Sequence, residues 1–330
     1  MSDLARRLGP DIASRLTLPL ISAPMYRVSG PDLVIAACKA GVIGAFPTSN
    51  CRTIEDLDTW LGRINDALRV PEGQNPAAPV CANLIIQQAR LDEDLARLIA
   101  HKVEMVITSV GSPAEVIKPL HAIGCKVFAD VATIRHAQKA IAAGVDGLVL
   151  LTAGAGGQTG WANPLAFVGA VRRFFDGPLV LAGGVSDGHS LWAARALGCD
   201  LAYMGTRFIA SSESMATDGY RQMLVASSLD DVMTTRAFTG LPTNMLKPSI
   251  EAAGIDPDRM DETVTPVMAR NMFGAGTQGP QRWADLWSAG HSVSAVTDAP
   301  PVAEIVARIA KDYEFARQGC LAANGWPAGA

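Results

Sequence analysis

The sequence has no CxxC pair and no Cys/His grouping at metal-ligating spacing. Its six cysteines (Cys38, Cys51, Cys81, Cys125, Cys199, Cys320) are scattered, and several lie in apolar runs where a reduced thiol packs as a small hydrophobe. A zinc site and a redox dithiol are therefore not expected. There is no run of Lys and Arg and no stacked aromatic pattern, and the net charge is −4, so no basic field exists to gather a nucleic-acid backbone. No segment approaches about 18 uncharged apolar residues. Asp3, Arg6, Arg7, Asp11 and Arg15 interrupt the first seventeen residues, unlike a signal peptide. No membrane association is expected, and the expected location is the cytoplasm.

What is present is a chain of 330 residues, 49% hydrophobic and 18% charged, which can bury a large core as one α/β barrel or two ordinary domains. Short apolar runs of strand length recur at 18–25, 42–46, 80–86, 103–110, 126–131, 147–151, 179–182 and 201–204. Segments of helical period separate them, among them 31–40, 92–101, 134–143 and a stretch from Thr53 to Leu68 with Thr53 as N-cap and Glu55 and Asp56 in its first turn. Eight strands alternating with helices in about 210 residues is the count of a closed (β/α)8 barrel, or TIM barrel. An open doubly wound sheet would show similar strands, but no dinucleotide fingerprint follows the first one.

After the eighth strand the rhythm stops. Residues 212–280 read as helical and polar, interrupted by five prolines, and are expected to form a helical cap over the barrel formed by 1–211 and 281–330. A final helix is expected from Val302 to Arg317.

Barrel active sites lie at the C-terminal ends of the strands, with phosphate commonly held after strands seven and eight. Those loops are glycine-rich here: Gly183-Gly184-Val-Ser-Asp-Gly188 and Gly205-Thr206-Arg207-Phe208. Their backbone N–H groups, the Thr206 hydroxyl and a following helix N-terminus suit an anion; the alternative is that the glycines only turn the chain. The loop after strand six, Thr152-Ala-Gly-Ala155-Gly156-Gly157-Gln158-Thr-Gly160, suggests backbone lying against a flat ligand or a substrate. Asn83, a polar amide inside the third strand, must find partners; they can be a ligand or a neighbouring strand.

On Ala23-Pro24-Met25, the sixth-strand glycine tract, Gly183-Gly184, Gly205-Thr206-Arg207-Phe208 and Trp287-Ser-Ala-Gly-His291, the chain resembles the nitronate monooxygenases, once called 2-nitropropane dioxygenases, and the flavin-dependent enoyl-ACP reductases that share their fold. The resemblance implies FMN bound without covalent linkage. It places the ring near Ala23, Pro24 and Met25 with Asn83 beside it, the tract at Ala155 and Gly156 against the flavin, and the phosphate at Gly183, Gly184, Gly205 and Thr206. It implies a small-molecule substrate, with NAD(P)H or O2 as possible co-substrate, and a monomer or homodimer.

The chain departs from these relatives at one position. Their sixth-strand loop reads Gly-Gly-His-x-Gly, with the histidine as catalytic base, whereas this chain has Gln158. A carboxamide can orient a substrate but cannot take its proton. His101, His121 and His136 fall on barrel helices, and His189 and His291 are weak substitutes. Asp130, at the end of strand five, is the better base, since a carboxyl in a closed apolar site has a raised pKa. The leading expectation is oxidation of a nitronate, already an anion. The alternatives are NAD(P)H-dependent reduction of an unsaturated acyl or CoA thioester, with Lys247 and Arg236 holding a carrier phosphate, and a non-catalytic FMN-binding protein.

Overall fold

The computed structural model describes residues 3–71, 73–274 and 277–322. Among these residues eleven strands are formed: β1 Leu20–Ser22, β2 Ile43–Pro47, β3 Val80–Ile85, β4 Met105–Ser109, β5 Lys126–Val131, β6 Gly147–Leu151, β7 Gly157–Gln158, β8 Leu179–Ala182, β9 Leu201–Met204, β10 Val232–Thr235 and β11 Thr243–Leu246. β1 to β6, β8 and β9 pair in parallel in chain order, and β9 closes back on β1 through Ile21 opposite Tyr203. The chain is thus a closed (β/α)8 barrel. The expected seventh and eighth strands are β8 and β9.

Both faces of each barrel strand are buried, which is why the strands read as unbroken apolar runs rather than alternating ones. Ile21, Ile43, Cys81, Met105, Phe128, Val149, Val180 and Leu201 fill the barrel interior. Leu8 and Ile12, from the short helices Asp3–Leu8 and Pro10–Ala13, pack into the same cluster. Leu20, Phe46, Leu84, Val106, Val127 and Leu148 pack outward beneath the helices. With the interior filled by side chains, open space is left only where the inward positions turn small or polar, toward the C-terminal strand ends.

The helix Ile54–Leu68 starts at Thr53, whose side chain and that of Asp56 cap each other's backbone N–H groups, a reciprocal box that the sequence only half revealed. The last helix, Val302–Ala322, runs beyond the expected Arg317.

The stretch 212–280 is not purely helical as the sequence suggested. Besides the helices Asp218–Ala226, Lys247–Ala252 and Pro266–Phe273, it contains the antiparallel pair β10–β11. β11 also pairs with β7 from the barrel loop, Thr243 opposite Gln158. These strands are four residues long and rich in Thr and Asn, too short and polar to show as apolar runs, and their stability comes from the three-stranded pairing and from burial of β11.

Candidate active site

The C-terminal strand ends surround a cavity of about 480 Å³, a size typical of cofactor and substrate pockets. Ala23, Pro24 and Met25 line it just after β1. The Asn50 side chain sets their course, its amide donating to the carbonyls of Met25 (3.1 Å) and Ser29 (2.8 Å) while its oxygen accepts from the Arg27 N–H (2.7 Å).

Asn83 borders the cavity, but its amide also donates to the Ile107 carbonyl on β4 at 3.1 Å and lies 3.3 Å from the Ser109 hydroxyl. The neighbouring strand therefore supplies the partners its burial requires. Asp130 has no such provision. It projects inward from β5 into the cavity wall, and its buried Oδ1 has no hydrogen-bond partner among the described residues. Burial raises its carboxyl pKa to about 7. Tyr203 on β9 also lines the cavity with a buried, unpartnered hydroxyl, and burial followed by the nearby Asp130 pushes its pKa well up. Tyr203 was not singled out from the sequence, although it stands two residues beyond the inward-facing Leu201 and shares its face of the strand.

The glycine tract is held rigidly. Thr152 donates from Oγ1 to the Ala182 carbonyl at 2.8 Å, and Asn244 of β11 donates to the carbonyls of Ala153 (3.1 Å) and Ala155 (2.7 Å). Part of its glycine content serves chain packing rather than a ligand: a Cβ on Gly156 would lie 2.7 Å from the Gly290 nitrogen. Gly157 and Gln158 continue into β7 at the cavity edge. Gln158 is exposed, and its side chain makes no hydrogen bond among the described residues.

Gly183, Gly184, Gly205 and Thr206 meet on one side of the cavity. Gly183 (φ 123°) lies so close to the tract that a Cβ would sit 2.4 Å from Thr152 Oγ1, whereas Gly184 (φ 76°) faces open space. Thr206 is buried, and its Oγ1 accepts from the Gly290 N–H at 2.9 Å, which leaves the hydroxyl proton for another acceptor. The helix Gly188–Ala196, whose N-terminus was expected to face a phosphate, is already capped by Asp187, which accepts from the Ser190 N–H at 2.8 Å. Arg207 turns away from the cradle to the Asp298 carbonyl and carboxylate.

None of the five histidines borders the cavity. His101 meets Asp58, His121 meets Asp146, and the His189 ring packs on Phe315; His291 is exposed, with its backbone N–H on the Gly154 carbonyl. Lys247 and Arg236 lie off the cavity, the Lys247 ammonium donating to the Asp230 carbonyl. No group of three or more potential metal ligands occurs among the described residues, and no described helix is long and apolar enough to cross a membrane.

The donor set fits a flavin nucleotide. A cradle of backbone, bare of side chains at Gly184 and completed by a free hydroxyl proton, suits a phosphate, and the apolar wall at Ala23, Pro24 and Met25 suits a flat ring.

Residues 12–312 match the family model of the nitronate monooxygenases. A nitronate monooxygenase of Paraburkholderia phytofirmans is 27% identical, the match covering 90% of this chain and 92% of that protein. A (3aS,4S,5R,7aS)-5-hydroxy-7a-methyl-1-oxo-octahydro-1H-indene-4-carboxyl-CoA dehydrogenase of Rhodococcus jostii is 28% identical over 69% of this chain and 62% of its own length. FabK from Thermotoga maritima shares the fold with a TM-score of 0.78 at 24% identity, covering 96% of this chain and 99% of that one. A nitroalkane oxidase from Streptomyces ansochromogenes does so with a TM-score of 0.77 at 24% identity, covering 94% and 99%. With the family match spanning nearly the whole barrel and its mouth, the chain belongs to the nitronate monooxygenase family of flavin-dependent oxidoreductases.

Proposed function

We propose that this protein is an FMN-dependent oxidoreductase that oxidises a nitronate or a comparably stabilised carbanion, the 212–280 segment covering the substrate. The observation that carries this reading is Asp130, a carboxyl with a pKa near 7 and an unpaired buried oxygen in the wall of the cavity that also holds the glycine cradle.

In this reading the FMN phosphate lies against Gly183, Gly184, Gly205 and Thr206, and its ring lies beside Ala23, Pro24 and Met25, with Asn83, Ala155 and Gly156 bordering it. Bound there, FMN supplies two-electron acceptance and subsequent reaction with oxygen. Asp130 takes the proton from a neutral carbon acid, since at neutral pH its acid and carboxylate forms are both populated. Gln158, with its free carboxamide at the cavity edge, orients the polar group of the substrate without titrating. A substrate that arrives as the nitronate needs no base.

A second reading, NAD(P)H-dependent reduction at an acyl thioester, is favoured by the similarity to the Rhodococcus carboxyl-CoA dehydrogenase. Protonated Asp130 would then donate a proton. Anaerobic mixing of the FMN-loaded protein with a nitronate, NADH and NADPH separately decides between them. Bleaching of the flavin by the nitronate is expected; bleaching only by a nicotinamide favours the second reading, and no bleaching by any of them leaves a flavin-binding protein without this chemistry.

A further inference from the structure

Two arginines line the cavity from separate segments of the chain, Arg27 from the loop after β1 and Arg282 beyond the helix Pro266–Phe273. Arg27 has left-handed backbone (φ 61°) and is tied through its N–H to Asn50. Arg282 is anchored through its N–H to the Phe273 carbonyl at 2.9 Å, and the next residue, Trp283, is again left-handed (φ 68°) and also lines the cavity. A non-glycine residue in this conformation is uncommon and is held there by its surroundings, a feature that concentrates at functional sites.

Neither of these two side chains meets a carboxylate among the described residues. Arg7, Arg15, Arg90, Arg172 and Arg207 are among the partly or fully buried arginines elsewhere, and each faces a carboxylate. Arg282 faces Arg270 instead: burial and then that second guanidinium lower its pKa, with Tyr26 acting the other way, and among the described residues its guanidinium donates to the Phe238 carbonyl. Arg27 has no side-chain partner among the described residues. A partly desolvated cation beside another cation is unfavourable until an anion joins them.

We propose that Arg27 and Arg282 receive a phosphate of an adenosine-phosphate ligand whose reactive end reaches toward Asp130, the chemistry shared by a coenzyme A thioester and NADPH. A phosphate fits better than a carboxylate because it brings nearly two negative charges and three acceptor oxygens to a rim that Arg270 makes still more positive. The inference rests on the flavin reading of the same cavity and on the second, nicotinamide and acyl-thioester reading of its substrate.

The test is calorimetric titration of the FMN-loaded protein with coenzyme A, with 2′-phospho-ADP-ribose as the redox-inert tail of NADPH, and with pantetheine, which carries no phosphate. At least one of the two phosphate ligands should bind, which identifies the source, and its affinity should fall as salt is raised. R27A and R282A should each weaken it about tenfold or more, R282K should restore it only in part, and pantetheine should be indifferent to all of them. R173A, which removes the same charge from the exposed end of the helix Pro164–Arg172, should change nothing. The proposal is overturned if neither phosphate ligand outbinds pantetheine, or if the double variant binds as the wild type does. Loss of FMN from the double variant would also overturn it, assigning the guanidiniums to the flavin phosphate, whereas wild-type protein that takes up no FMN contradicts the underlying flavin reading instead.

Discussion

The Asn244 carboxamide, buried on β11, donates to the Ala155 carbonyl at 2.7 Å and so ties the glycine tract of the barrel mouth to the sheet of β10 and β11. Asn244→Ala leaves the carbonyls of Ala153 and Ala155 without these donors. The substitution should cost about 2–3 kcal/mol, from lost hydrogen bonds to buried groups, and weaken flavin retention. Urea unfolding followed by tryptophan and by flavin fluorescence checks both effects. An unchanged midpoint would show that the tract holds its shape without the Asn244 amide.

Asn244 also marks the boundary of what could be read in the sequence. The eight barrel strands were legible because parallel strands buried on both faces are unbroken apolar runs, and the glycine-rich lining of the cavity was legible because glycine clusters fell after two particular strands. β10 and β11 were not, since β10 pairs with β11 and β11 with β7, Thr243 opposite Gln158 about 85 residues earlier, and nothing local encodes that. The unpaired state of Arg282 is likewise a property of which carboxylates are missing from its surroundings. The helix N-terminus at Gly188 looked available for a ligand, yet Asp187, one residue before it, is its cap. The reciprocal box of Asp187 and Ser190 was visible in principle, as two capping residues three apart.

The two adjacent cradle glycines should behave differently. A Cβ on Gly183 collides with Thr152 and with the Ala155 backbone, so Gly183→Ala should lower stability by more than the ~1–2 kcal/mol that a left-handed alanine alone entails. Gly184→Ala meets no atom within 4 Å and should fold with only that smaller loss, yet its methyl would enter the proposed phosphate cradle. Folded but colourless Gly184→Ala protein is the expected result, judged by circular dichroism and the flavin spectrum. Stoichiometric FMN in that variant would move the phosphate elsewhere.

The buried Asp130 carboxyl makes stability depend on pH with a definite sign. Its pKa is about 7 when folded against an ordinary value of 3.8, so the folded state holds the proton more tightly. Its contribution is complete below about pH 4 and is lost as pH rises to about 7, beyond which the loss is constant. Asp130→Asn, neutral throughout, should gain on the wild-type apoprotein as pH rises from 5 to 8 in urea titrations. A difference between the two proteins that stays constant over this range would show that the carboxyl is not raised.

Gln158 is assigned to positioning, with a free side chain at the cavity edge and no titratable group. Gln158→Ala should raise KM for a nitronate by roughly tenfold, the loss of about one hydrogen bond to a charged partner, with kcat altered much less and the pH profile unmoved. A displaced pH profile would mean that Gln158 takes part in proton transfer through a neighbour.

The assignment of Asp130 as the proton-transferring group is tested most directly by anaerobic stopped-flow reduction of the flavin by a neutral nitroalkane and by its pre-formed nitronate, in wild-type protein and in Asp130→Asn. The wild-type rate with the nitroalkane should rise with pH through about 7, where the carboxylate forms. The variant should lose that rate by about 10²-fold or more, the usual contribution of a general base, while keeping the nitronate rate within a few fold. Equal losses for both substrates, or a variant that still reduces its flavin with the neutral nitroalkane at the wild-type rate, would contradict the assignment.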